Sequence, residues 1–210
     1  MTTRVCWVLF VTFAIIIGLY PFLYFLIDRK FGLLASKSNE LLMNVVWNIA
    51  FYTHIVLGGF ALMIGWVQFS SKFRQTKMDL HKKIGKLYII LVLISAVTGI
   101  YIGFFATGGL VTSLGFTCLG IIWFYSTFMA YVHVKNKQIH KHQQMMIYSY
   151  AACFSAVTLR IWLPTLMAIF GNFITAYTIV AWLAWVPNVI VAYFINRNLD
   201  QKLLQNTQTL

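Results

Sequence analysis

Acidic side chains are almost absent: Asp28, Glu40, Asp79 and Asp200 are the only four in 210 residues. None falls inside a long apolar run, which ranks an enzyme acting on lipids last among the functions open to the chain. Charge of either sign is scarce, at 10% of residues, where a soluble domain carries about a quarter. The three cysteines, Cys6, Cys118 and Cys153, lie in apolar stretches without the spacing of a zinc site or a disulfide framework. They read as small hydrophobes. Gly-x-x-x-x-Gly-Lys and Gly-x-Gly-x-x-Gly loops are missing, which removes the common nucleotide sites. No nucleophile elbow or Ser-His-Asp arrangement stands out either.

What is present is apolar. Hydrophobic residues make up 60% of the chain and the mean hydropathy is +0.79. Too few polar side chains remain to coat a water-exposed globule, and lipid is the solvent that fits. A hydrocarbon core about 30 Å thick takes roughly 20 apolar residues in a helix. Six segments reach that length, at about 6–27, 44–69, 84–106, 110–134, 145–170 and 173–195. The expected fold is therefore all-α, an integral membrane helical bundle forming one domain over 1–210, with a short solvated tail at 196–210. The first segment is too long for the h-region of a cleaved signal and is followed by Asp28-Arg29-Lys30, so it counts as a true span.

The net charge of +12 does not point to nucleic acid, because the basic residues sit between apolar segments. They serve topology and lipid headgroups instead. Arg4, Lys72, Arg74, Lys77, Lys82, Lys83, Lys86, Lys135, Lys137, Lys141, Arg197 and Lys202 collect on one side, against Arg29, Lys30 and Lys37 on the other. By the positive-inside rule both ends are cytoplasmic. Ser95-Ala96-Val97-Thr98 recurs as Ser155-Ala156-Val157-Thr158, which suggests a duplicated helix hairpin or small residues favouring close helix packing.

Basic side chains deep in a span are penalised by the bilayer and need a reason. His54 in the second span and Arg160 in the fifth each lie about 15 Å from the less charged end, at 1.5 Å per residue. They are thus expected in one layer. No carboxylate is placed to neutralise Arg160. Carbonyls, water, or hydroxyls such as those of Thr158, Tyr52 and Tyr101 would satisfy it structurally. An anionic or carbonyl-bearing ligand, such as a haem propionate, a quinone or a lipid phosphate, would do so functionally. His81 and His142 open the third and fifth spans at similar depth. If those helices are neighbours, the two imidazoles suit a metal or haem iron; otherwise they are interfacial residues beside lysine. Trp47, Trp66, Trp162, Trp182 and Trp185 are available to line a pocket for a flat ring, and Pro164 and Pro187 to kink the fifth and sixth helices.

His54-x-x-x-Gly58, Gly65-x-x-Gln68-Phe69 and His81-Lys82-x-x-Gly85-Lys86-x-Tyr88, with His142-Gln143-Gln144-Met145-Met146, Ser149-Tyr150-Ala151, Arg160 and Trp185-x-x-Asn188, resemble a bacterial multi-pass membrane-protein family, domain of unknown function 2306. The resemblance covers about 44–195. The chain departs from that pattern at Gln143, where a basic residue is expected, and at Met145, where Trp is expected. The resemblance implies a multi-pass protein of the bacterial inner membrane and no particular activity. A looser similarity to membrane cytochromes b rests on the histidine-bearing helix ends and the membrane arginine, and implies haem b.

The leading expectation is a redox protein of the bilayer, haem-binding or quinone-interacting, with His81 and His142 as axial ligands and Arg160 and His54 holding the ligand. The alternative is a non-enzymatic transporter or accessory subunit that recognises a small anion or lipid headgroup, working as a homodimer or with a membrane partner. No glycine-rich broken-helix pair marks a transport site.

Overall fold

The computed structural model describes residues 2–28 and 30–208. Among them, six helices are long and apolar enough to cross a membrane: Arg4–Leu26, Val45–Phe69, Met78–Gly103, Leu110–Lys135, Ile139–Phe170 and Phe173–Gln201. The protein is an all-helical, multi-pass membrane protein. Its surface is apolar where lipid would lie, as at Leu26 (80% exposed) and Met43 (77%). Polar side chains turn inward, and Ser95, Thr112, Thr127 and Ser149 are wholly buried. That inversion follows from the solvent, since a hydroxyl in hydrocarbon needs an internal partner.

The second to fifth spans form a four-helix bundle, with second on third, third on fourth, fourth on fifth, and fifth closing on second. The first span flanks the second and the fifth, and the sixth packs on the fourth and fifth. Hydroxyl bonds tie the bundle internally. Tyr88 Oη meets Ser149 Oγ at 2.9 Å, Ser149 Oγ meets Thr127 Oγ1 at 2.6 Å, and Tyr150 Oη donates to the Leu62 carbonyl at 2.9 Å. The first and second spans cross at Gly18 and Gly59, where a Cβ on Gly59 would stand 2.6 Å from the Gly18 carbonyl oxygen.

The third and fifth helices begin six residues before the apolar segments expected from hydropathy. Hydropathy marks hydrocarbon, whereas helical hydrogen bonding continues into the headgroup layer. For the same reason 196–208 is not a loose tail: helix runs on to Gln208, and Asp200 there accepts from His140 Nε2 at 2.6 Å and Gln144 Nε2 at 2.9 Å. Arg29, counted with the less basic side, lies outside the described residues.

The helical breaks also differ from expectation. Pro164 sits inside a continuous helix, Ser155–Phe170. The fifth span is interrupted instead at Phe154, and the sixth at Ala184 and Trp185, just before Pro187. A proline at the second helical position lacks only an N–H that is unpaired there in any case, so it restarts the helix rather than bending it. Asn188 joins the two interruptions, donating from Nδ2 to the Ala151 carbonyl (3.3 Å), Thr158 Oγ1 (3.2 Å) and the Ala184 carbonyl (3.1 Å). Thr158 Oγ1 donates to the Ala184 carbonyl as well.

Candidate functional site

His54 and Arg160 line one cavity of about 200 Å³ within the bundle. Their helices run in opposite directions. His54 comes from the second span, and its Nδ1 stands 2.8 Å from the Ser95 carbonyl oxygen. A carbonyl only accepts, so Nδ1 carries the proton and Nε2 keeps its lone pair. Ser95 Oγ returns a bond to the His54 carbonyl at 2.9 Å. Space for the ring is made by Gly99, where a Cβ would fall 2.7 Å from Nδ1. Trp123 meets the imidazole edge-on, 6.3 Å between centroids.

Arg160 is held by less than its chemistry allows. Nη1 donates to the Ala156 carbonyl at 2.9 Å, one turn back along its own helix. The guanidinium lies over the Tyr20 ring, 4.2 Å from the centroid. Nε is buried without a hydrogen-bond partner among the described residues. The hydroxyls expected to satisfy it bond or pack elsewhere: Thr158 to backbone carbonyls, Tyr52 against Phe25 and Phe51, and Tyr101 against Phe105. Tyr20 was not anticipated, because it belongs to the first span and no local motif ties it to the fifth.

The cavity holds a further cation. Lys37 lines it from the segment joining the first and second spans. The turn Gly32–Ser36 folds down onto the bundle, with Leu34 only 2% exposed among Tyr24, Leu42, Trp47 and Phe51. Ser36 Oγ meets Thr107 Oγ1 at 3.0 Å, and Lys37 Nζ donates to the Phe105 carbonyl at 2.5 Å and to Thr107 Oγ1 at 3.1 Å. Burial pushes the Lys37 ammonium down to about 8. In the sequence Lys37 registers only as a loop charge. The rest of the lining is mainly aliphatic and aromatic and, among the described residues, includes no Asp or Glu. Glu40 is exposed on the following helical turn. Of the five tryptophans expected to line a pocket only Trp47 does so; Trp123, which was not singled out, joins it.

His81 and His142 lie at the basic end and do not line this cavity. His142 Nδ1 donates to the Ala130 carbonyl at 2.8 Å, whereas His81 Nδ1 is buried without a partner among the described residues. No group of three or more His, Cys, Asp or Glu able to hold a metal ion occurs among the described residues.

The sequence profile of a family described as a predicted membrane protein, DUF2306, matches residues 51–196. No curated protein and no solved structure matches the chain. The family match spans both His54 and Arg160 and begins after Lys37.

Proposed function

The chain belongs to the DUF2306 family of membrane proteins, and we propose that it binds a small amphipathic anion in the cavity shared by His54 and Arg160, as a transporter or an accessory protein. The observation that carries this reading is the Arg160 guanidinium, set in the middle of the bundle with no carboxylate beside it and Nε unpartnered. The bilayer penalises an arginine at that depth; the Ala156 carbonyl and the Tyr20 ring answer part of its charge, while the buried Nε–H and the charge itself lack a full counterpart. An anionic group on a ligand supplies what they lack, and the apolar lining takes the ligand's body.

The turn at Phe154 in the fifth span, between the cavity-lining residues Cys153 and Ser155, favours transport, because transporters commonly build their sites where helices break. The excess of Lys and Arg at one end supports placing both chain ends on the cytoplasmic side of a bacterial inner membrane.

Calorimetric titration of the intact protein in maltoside micelles with hexanoate tests the reading. Saturable binding that weakens at least about tenfold in Arg160→Gln and partly survives in Arg160→Lys supports it. No binding, or equal binding by Arg160→Gln, overturns it.

A second reading, redox, has one observation in its favour. His54 and His142 each donate Nδ1–H to a backbone carbonyl, the arrangement that orients metal-ligating histidines. Against haem b, the cavity of about 200 Å³ falls below the roughly 300–1,000 Å³ of sites for larger ligands. His81 and His142 also lie outside it, and the likeness to cytochromes b rests on single residues. A sharp α-band in a reduced-minus-oxidised spectrum, lost in His142→Ala, would establish this reading; a featureless spectrum in protein made with ample haem would remove it. A quinone carbonyl would accept from Arg160, and His54 Nε2 would accept the O–H of the reduced quinol.

A further inference from the structure

Two cations face this cavity, and they enter it from different parts of the chain. Arg160 reaches it from the middle of the fifth span, and Lys37 from the segment that folds over the less charged end. The two are joined by packing. Tyr20 lies under Arg160, and a Cβ on Gly32, at the start of the turn leading to Lys37, would stand 3.5 Å from the Tyr20 hydroxyl and 2.9 Å from that of Tyr24. Between the cations the walls are apolar, with Leu33, Leu34, Phe51 and Leu159 among the lining residues.

Resting on the anion-binding reading above, we propose that Lys37 is the second cation of the site and that the natural ligand carries two anionic groups separated by an apolar segment, as an aliphatic dicarboxylate does. One carboxylate meets Arg160 and the other meets Lys37, while the methylenes lie along the apolar wall. Lys37 is suited to this role because both of its acceptors, the Phe105 carbonyl and Thr107 Oγ1, are neutral. The ammonium keeps one N–H and its full charge for a ligand. Charge balance points the same way. Arg160 and Lys37 bring two positive charges to a lining without an acidic residue among the described residues, so a monoanion leaves one cation uncompensated and a dianion leaves none. Burial already lowers the affinity of Lys37 for its proton, and a carboxylate beside it reverses that.

The position of Lys37 gives it selectivity rather than basic affinity. It sits on a connecting segment stapled by Ser36 to Thr107, whereas Arg160 is built into the helix wall. Removing the Lys37 charge therefore leaves the Arg160 end of the site intact.

The experiment is a chain-length series, succinate to sebacate, titrated calorimetrically against hexanoate with the intact chain in maltoside micelles. Affinity passes through a maximum at one chain length, where the diacid binds at least about tenfold tighter than the monoacid. Lys37→Gln lowers diacid affinity far more than hexanoate affinity, so that the preference is lost, and Lys37→Arg keeps the preference. Diacids binding no tighter than hexanoate overturn the proposal, as does a preference that persists in Lys37→Gln. Hexanoate binding separates the two readings: when it binds and the diacid preference is missing, only the role of Lys37 fails. When neither ligand binds the wild-type protein, anion binding itself fails.

Discussion

The Arg160 guanidinium stacks on the Tyr20 ring at 4.2 Å from its centroid, joining the fifth span to the first. A cation away from water gains most from such a face, up to about 2 kcal/mol. Tyr20→Leu should therefore destabilise the protein by about 1–2 kcal/mol, and Tyr20→Phe, which keeps the ring, by much less. Thermal unfolding in micelles, followed by tryptophan fluorescence, checks this. Equal losses in the two variants would assign the effect to the Tyr20 hydroxyl instead.

Gly99 leaves room for the His54 ring, since a Cβ there would approach Nδ1 to 2.7 Å and Cε1 to 2.8 Å. The Ser95 carbonyl, one turn earlier on the same helix, bonds the same Nδ1, so a ring that moves away from a new methyl group stretches that bond. Gly99→Ala should cost about 1–3 kcal/mol, as overpacking does. In a His54→Ala background the same change should cost little. A double-mutant cycle measures the difference, and additive effects would show that Gly99 serves another contact.

Lys37 gives the site a pH dependence with a definite sign. Its folded-state value, about 8, lies below its ordinary value of 10.5. Between these values the unfolded chain binds more protons, so stability rises with pH across that window. Ligand binding moves the opposite way, because the ammonium is needed and is lost above about 8. Diacid affinity should fall as pH rises through that value in the wild type and stay level in Lys37→Arg, whose guanidinium remains charged. Titrations on either side of it decide the point. A parallel fall in both proteins would move the effect to another group.

Both chain ends should face the cytoplasm. A green fluorescent protein fused after Leu210 should fluoresce in bacterial cells, and alkaline phosphatase at the same position should be inactive. The opposite pair of results would invert the topology and place the Lys37 end of the cavity on the cytoplasmic side.

Broken backbone patterns were only partly legible. Pro187 marks an interruption in the sixth span, but the one in the fifth falls at Phe154, ten residues from Pro164. Nothing in Cys153-Phe154-Ser155 announces it; Thr158 and Asn188 bond across to the neighbouring helix on either side of it. The outward limits of the third and fifth helices were missed for a simpler reason. Hydropathy detects lipid contact, and helices continue beyond it.

Composition and spacing by themselves determined that this chain crosses a membrane in six helices, and that His54 and Arg160 lie well inside two of them. Both follow from a one-dimensional rule, apolar length against bilayer thickness. Only the tertiary structure decided what surrounds those residues. Tyr20 beneath Arg160, Ser95 and Gly99 around His54, and Lys37 at the cavity all come from segments distant in sequence. They meet because the first span packs beside the fifth and the segment after it folds onto the bundle. A lone buried charge can be read from sequence; its partners are set by which helices touch, and no local pattern encodes that.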